Sequence, residues 1–397
     1  MANAGVFCRK TTWRRRESFT LGNDLVRLVT VTGGGHIAEF RFADSTGLPT
    51  TNPLWVPPWD TIEPYCFDAD THSAKYGPMP GGKLISGMVG HSICMDYFGS
   101  PSPEETRLGL SQHGEAPSSR WRRAGVRVSA SEAALTLSVR LPAAGLRFSR
   151  EIRMRQNEAV VYIKETVTNE RKMDHFFHWT QHVTLGPPFL ASQESTVVLP
   201  GTKSIAFGLG YSDEDALLAP NRKFRWPMAP QRVGGIVDLT RPFSHEGRGF
   251  VAGVLVDPRR GLGFVAALNV RERLLIAYCF SRRDFPWVTV WEENRVVSAS
   301  PWKRRTQARG LEFGTTPSSA PRRESYLAGG PLFGVPTVTC VPARGTRVVR
   351  YVAFLATLPA GFDQIRDIKL GEKEFLIVGA NRRAPLSVPA SYATGLP

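Results

Sequence analysis

No run in this chain is long and apolar enough to cross a membrane as a helix, and its cysteines follow no pairing pattern. The five cysteines (Cys8, Cys66, Cys94, Cys279 and Cys340) are odd in number and widely spaced. That argues against a disulfide framework and against a zinc ribbon. The N-terminal MANAGVFCRKTTWRRR lacks the apolar core that a secretory signal needs, so a cytoplasmic, reduced protein is the expectation. Nucleotide fingerprints are missing as well. No GxGxxG follows a strand, no phosphate-loop lysine motif occurs, and there is no GxSxG elbow. Helical signal is thin, and no internal repeat is found.

What the chain has in excess is positive charge, +15 over 397 residues. A nucleic-acid binder concentrates such charge on one helix or groove. Here the basic groups are scattered: Arg14–Arg16, Arg122-Arg123, Arg259-Arg260, Arg282-Arg283, Lys303–Arg305 and Arg322-Arg323, mostly at predicted turns. A solvated basic surface follows, with neither nucleic acid nor membrane as partner.

Strand signals dominate. Leu25–Val31 alternates, breaks at Gly33–Gly35 and resumes as His36–Phe42, which predicts a hairpin. Further runs are GVRVSA and ALTLSV within Gly125–Val139, then Leu146–Met154, Ala159–Val167, Phe250–Val256, Gly263–Leu268, Leu274–Phe280, Trp287–Trp291 and Val348–Leu355. Short strands in succession, separated by turn residues, predict an all-β protein: a large antiparallel β-sandwich with few short helices. The predicted helices are Pro103–Leu110, capped by Ser102, and Asp363–Leu370. Asn52–Pro80 reads as a long irregular loop packed on aromatics. The segment from Asn381 reads as a poorly ordered tail. The division is a lead-in over 1–18, a sandwich over 19–360 with a loop-rich insertion at 52–110 near the cleft, and an extension and tail over 361–397.

Two stretches carry chemistry. VTNERKMDHFFHWTQHVTLGPPFL, from Val167, holds three of the eight histidines: His175, His178 and His182. Three readings stay open for them: a zinc site, satisfied core histidines, or one acid or base, for which His182 is the choice. A strand places His178 and His182 roughly 13 Å apart, which suits one metal poorly. GLEFGTTP, from Gly310, sets Glu312 opposite in facing to Leu311 and Phe313. If Glu312 faces a pocket, desolvation raises its pKa into a range useful for a base. His113, before Gly114, is placed for close approach to a ligand. Glu292 and Glu293 read as solvent-facing, and His91 and Asp96 as structural or peripheral.

These residues resemble the galactose mutarotase-like, or aldose 1-epimerase, superfamily, whose members are large β-sandwiches with a sugar cleft. GGGHIAEFRF is similar to an early glycine-containing strand. SGMVGHSICMDYFG followed by SQHGEAPSSRW is similar to the stretch that leads to a His-Gly. The His182 strand and RGLEFGTTP are similar to the two catalytic strands. The resemblance implies His182 and Glu312 as catalytic residues and His113 as substrate-binding. Trp55, Trp179 or Trp291 is expected to stack on the sugar's apolar face, and Asp238 stands in for a substrate-binding aspartate. It implies a small-molecule sugar as partner and neither cofactor nor metal. Where the sugar-phosphate branch has arginine, Ser86 precedes Gly87 here. The implied activity is interconversion of sugar anomers by acid/base ring opening. The alternatives are a non-catalytic carbohydrate-binding module, or a lyase or deglycosylase on the same fold.

Overall fold

Alternation along the strands decides the layering. In Leu274–Ser281 every residue is buried, because one face packs inward and the other outward against a second layer. Leu274, Ile276, Tyr278 and Phe280 join the main core, while Leu275, Ala277 and Cys279 join a second one. The same split separates Val161 and Ile163 from Val160 and Tyr162 in Val160–Asn169.

The computed structural model describes residues 5–208, 210–319, 331–381, 384–392 and 395–396. Among them, thirteen strands form one antiparallel sheet. Its order runs Phe7–Trp13, Arg16–Gly22, Val26–Val31, Ile37–Phe42, His91–Cys94, Thr180–Leu185, Gln307–Gly314, Trp287–Asn294, Arg248–Val256, Gly201–Phe207 and three short strands that end at Ile236–Asp238. An eight-stranded sheet lies against its inner face and is centred on Thr346–Thr357, Val160–Asn169 and Leu146–Arg155. The main core fills the space between the two sheets. The molecule is thus a large antiparallel β-sandwich with few short helices, as the strand pattern predicts. No helix among the described residues is long and apolar enough to cross a membrane.

Several expectations are corrected. The first eighteen residues are more than a lead-in: Phe7–Trp13 pairs with Arg16–Gly22 as the edge hairpin of the large sheet. Residues 361–397, expected as an extension and tail, carry regular structure. Ile365–Leu370, Glu374–Gly379 and Leu386–Pro389 form a three-stranded sheet whose Ile368, Phe375 and Ile377 cover the outer face of the eight-stranded sheet. Residues 382–383, 393–394 and 397 of that segment lie outside the described residues, as do Arg322 and Arg323.

Asp363–Leu370 mimics a helix because Ile365 and Ile368 are three apart. A register shift between Ile365 and Asp367 lets a strand bury both on one face. Within Asn52–Pro80, Ala69–Tyr76 is helical, started by the Asp68 side chain accepting from the Thr71 amide. Pro103–Arg107 forms its helix with a capping box between Ser102 and Glu105.

Candidate functional site

Three neighbouring strands of the large sheet build the floor. In register, Gln181 lies opposite Phe313, and Thr289 opposite Glu312. Val183, Leu185, Val288, Val290, Leu311 and Phe313 point into the core. Their neighbours His182, Thr289, Trp291, Glu293 and Glu312 therefore point to the opposite, outer face. There they line a cavity of about 420 Å³. Leu84, Ile85, Met88, Phe98, Gln112 and His113, from the 81–113 region, form its other wall.

His182 and Glu312 meet. His182 Nε2 lies 3.2 Å from Glu312 Oε1, and its Nδ1 lies 3.0 Å from Thr184 Oγ1. Both residues are almost wholly buried. Burial alone pushes the Glu312 carboxyl well above the usual carboxylate range. Burial likewise pulls the His182 imidazole down to about 4. Burial thus favours the state in which both groups are uncharged and the pair holds one titratable proton, and moving that proton from Glu312 to His182 creates a carboxylate beside an imidazolium.

Gly310 makes room for this. A Cβ at that position would lie 2.2 Å from Glu312 Oε1, so the carboxyl group folds back over a residue that has no side chain.

His113 completes the wall. Its ring centroid is 5.3 Å from that of His182 and 5.2 Å from that of Phe98. The Gly99 amide donates to His113 Nδ1 at 3.0 Å, so the neutral ring carries its proton on Nε2 as a donor. Burial, and then the neighbouring His182, keep its pKa well below the ordinary histidine value.

Other expected site residues lie elsewhere. Trp179 is three positions from His182, an odd offset that turns it to the inner face, where its Nε1 donates to Glu165. Asp238 sits near the sheet edge and accepts from the Thr240 amide and hydroxyl, a turn role. Trp55 stacks on Trp302 at 6.0 Å, so Trp302 faces the cavity and Trp55 backs it.

The three histidines of one segment diverge. His175 Nε2 pairs with Asp96 Oδ2 at 2.9 Å, and His178 Nδ1 accepts from the Phe98 amide at 3.1 Å. Both brace the 96–98 segment against the site. Among the described residues, no group of three His, Cys, Asp or Glu side chains is placed to hold a metal ion. His91 lies inward and contacts Gln181 Oε1 at 3.0 Å.

Glu292 and Glu293 are buried, not solvent-facing. Glu292 points inward to Arg309, whose Nε donates to it at 2.9 Å. Glu293 points outward into the cavity. Strand alternation applied to the pair Glu292-Glu293 signals this division, since adjacent residues cannot share a face.

The fold is that of the galactose mutarotase-like proteins. The chain is similar to the structure of a candidate aldose 1-epimerase from Klebsiella pneumoniae subsp. pneumoniae, with a TM-score of 0.60, 14% identity, and coverage of 87% of this chain and 81% of that one. It is also similar to a galactose mutarotase related enzyme from Lactobacillus acidophilus, with a TM-score of 0.53, 11% identity, and coverage of 86% and 98%. A TPR-domain containing protein from Parabacteroides distasonis matches with a TM-score of 0.56 and 10% identity over 89% of this chain and 49% of that one. At these identities the likeness concerns the fold. No protein-family model and no curated protein sequence matches the chain.

Proposed function

We propose that the protein is a carbohydrate-active isomerase of the aldose 1-epimerase type, interconverting the anomers of a free aldose. The observation that carries this reading is the buried contact between His182 and Glu312 on the cavity floor, 3.2 Å apart. Anomer exchange needs one base and one acid acting on the same sugar, and neither a cofactor nor a metal is required. With the pair's proton on His182, Glu312 takes the proton of the O1 hydroxyl. His182 then protonates the ring oxygen as the C1–O5 bond breaks and the C1 carbonyl forms. Rotation about C1–C2 presents the other carbonyl face, and the reverse transfers close the ring. His113 Nε2–H and Gln112 orient substrate hydroxyls, and Trp291 and Trp302 supply apolar faces for the ring.

The test is anomer exchange followed by NMR on a panel of free aldoses, with wild type beside Glu312→Gln and His182→Asn. Acceleration by wild type and a loss of at least ~100-fold in each variant are expected. Binding without acceleration would replace this reading by that of a carbohydrate-binding module.

A further inference from the structure

The cavity holds a second acid that the exchange reaction does not use. Glu293 is 1% exposed, yet it lines the same cavity as His182 and Glu312. One of its oxygens is occupied: Oε1 accepts from the Val296 amide at 2.6 Å and the Val297 amide at 2.9 Å, which fixes the side chain at the end of its strand. The other oxygen, Oε2, is buried and has no direct hydrogen-bond partner among the described residues. Tyr211 is a side chain close enough to interact with that carboxyl group. Its hydroxyl has a single proton, directed at the Glu292 carbonyl at 2.7 Å, while its oxygen accepts from Trp291 Nε1 at 2.7 Å. A buried acceptor of this strength left without a donor is costly, and a ligand hydroxyl would remove the deficit.

Register sets its distance from the reacting end. Thr289 lies opposite Glu312 and Trp291 opposite Gly310, so Glu293 is two outward positions beyond Thr289, roughly 13 Å along the strand. The Glu312 carboxyl folds back over Gly310, alongside Trp291. One outward step remains between that carboxyl and the Glu293 position, roughly 7 Å, which is about the span of a pyranose ring. Trp291 stands between them, held by its bond to Tyr211, with its ring 6.1 Å from that of His182.

We propose that Glu293 is a substrate-binding residue whose Oε2 accepts a hydrogen bond from a hydroxyl on the edge of the sugar remote from the anomeric carbon. It thereby selects a neutral sugar over one that carries a phosphate or carboxylate at that edge. The orientation of the sugar rests on the proposed function; the presence of the subsite rests on Glu293 itself. An anionic substituent beside Glu293 meets a like charge in a water-poor cavity, or forces the acid to take up a proton, and either effect weakens binding.

The test separates binding from turnover. Wild type, Glu293→Gln and Glu312→Gln are titrated by NMR with neutral hexoses, their 6-phosphates and the matching uronic acids, and anomer exchange is measured on the same samples. Gln at 293 keeps one carbonyl oxygen for the Val296 and Val297 amides and replaces the free oxygen by an NH2 donor, so unchanged thermal unfolding is expected. Wild type should bind the neutral hexose at least ~10-fold more tightly than its anionic counterparts. Glu293→Gln should weaken the neutral hexose about 10-fold, with the loss in KM rather than kcat, and should narrow the gap to the anionic sugars. Equal binding of the neutral hexose by wild type and Glu293→Gln would overturn the proposal. So would a wild-type preference for the phosphorylated sugar, or no binding of any sugar in the panel. Binding that Glu293→Gln weakens, without any acceleration of exchange by wild type, would instead sink the epimerase reading and leave the subsite standing.

Discussion

Thr180–Leu185, Gln307–Gly314 and Trp287–Asn294 present buried polar side chains on both of their faces, and the two faces treat acids in opposite ways. Toward the core, Glu292 meets the Arg309 guanidinium, and Gln181 joins Glu165, Arg150 and Tyr351 in a closed network. Glu165 is bonded to Arg150 Nε at 2.7 Å, to Gln181 and to Trp179, so its charge is matched and its oxygens are used. Toward the cavity, Glu312 and Glu293 are as deeply buried but have no guanidinium or ammonium partner among the described residues. Burial pushes the pKa of both acids up, that of Glu312 well above the usual carboxylate range. One residue step thus separates an acid locked to a guanidinium, Glu292, from one left facing the cavity, Glu293, and the difference lies in what each faces.

Removing an acid from each face should have consequences of opposite sign. Glu165→Ala strands the Arg150 charge in the core, and a loss of about 3–5 kcal/mol in unfolding free energy is expected from denaturant titration. On the cavity face, Glu312→Gln should abolish turnover while stabilising the fold by roughly 0.5–2 kcal/mol at pH 7. The sign follows from linkage. Folded Glu312 holds its proton at pH values where the unfolded residue is ionised, so this acid's contribution falls as pH rises from the ordinary carboxylate value toward the raised one. The stabilisation by Glu312→Gln should therefore shrink when unfolding is measured at pH 4.

A smaller effect sharpens the contrast without removing any acid. Gly310→Ala is compatible with the strand backbone, but its methyl group takes the space of Glu312 Oε1. Displacing that carboxyl group should lower the exchange rate by about 10–100-fold with little change in melting temperature. An equal change in both would mean that Gly310 serves packing rather than the site.

Much of this was legible in the sequence because alternation is a local property. The strands from Leu25 to Leu355 could be read from it, and so could the outward facing of Glu312 relative to Leu311 and Phe313. The meeting of His182 with Glu312 was not legible from spacing: it depends on two strands 130 residues apart becoming neighbours, which only the resemblance suggested. Trp179 was misplaced although its odd offset from His182 signals the wrong face. Glu293 was assigned to solvent because two adjacent acids look exposed. Their burial depends on Arg309 from one strand and on a turn at Val296-Val297 on the other side. Asp363–Leu370 reads as a helix because a register shift makes the strand Ile365–Leu370 bury residues at helical spacing.

The central claim is that the cavity pair works as a net-neutral, one-proton unit because it is buried with no guanidinium or ammonium partner among the described residues. The pH dependence of kcat/KM for anomer exchange tests it most directly. With His182 held at about 4 and Glu312 raised, the profile should lose activity on the acid side with a midpoint near pH 4, and its alkaline limb should lie well above the ordinary carboxylate value. A profile that peaks between the ordinary carboxylate and histidine values, and is already falling at pH 7, would show an ordinary solvated ion pair and contradict the account.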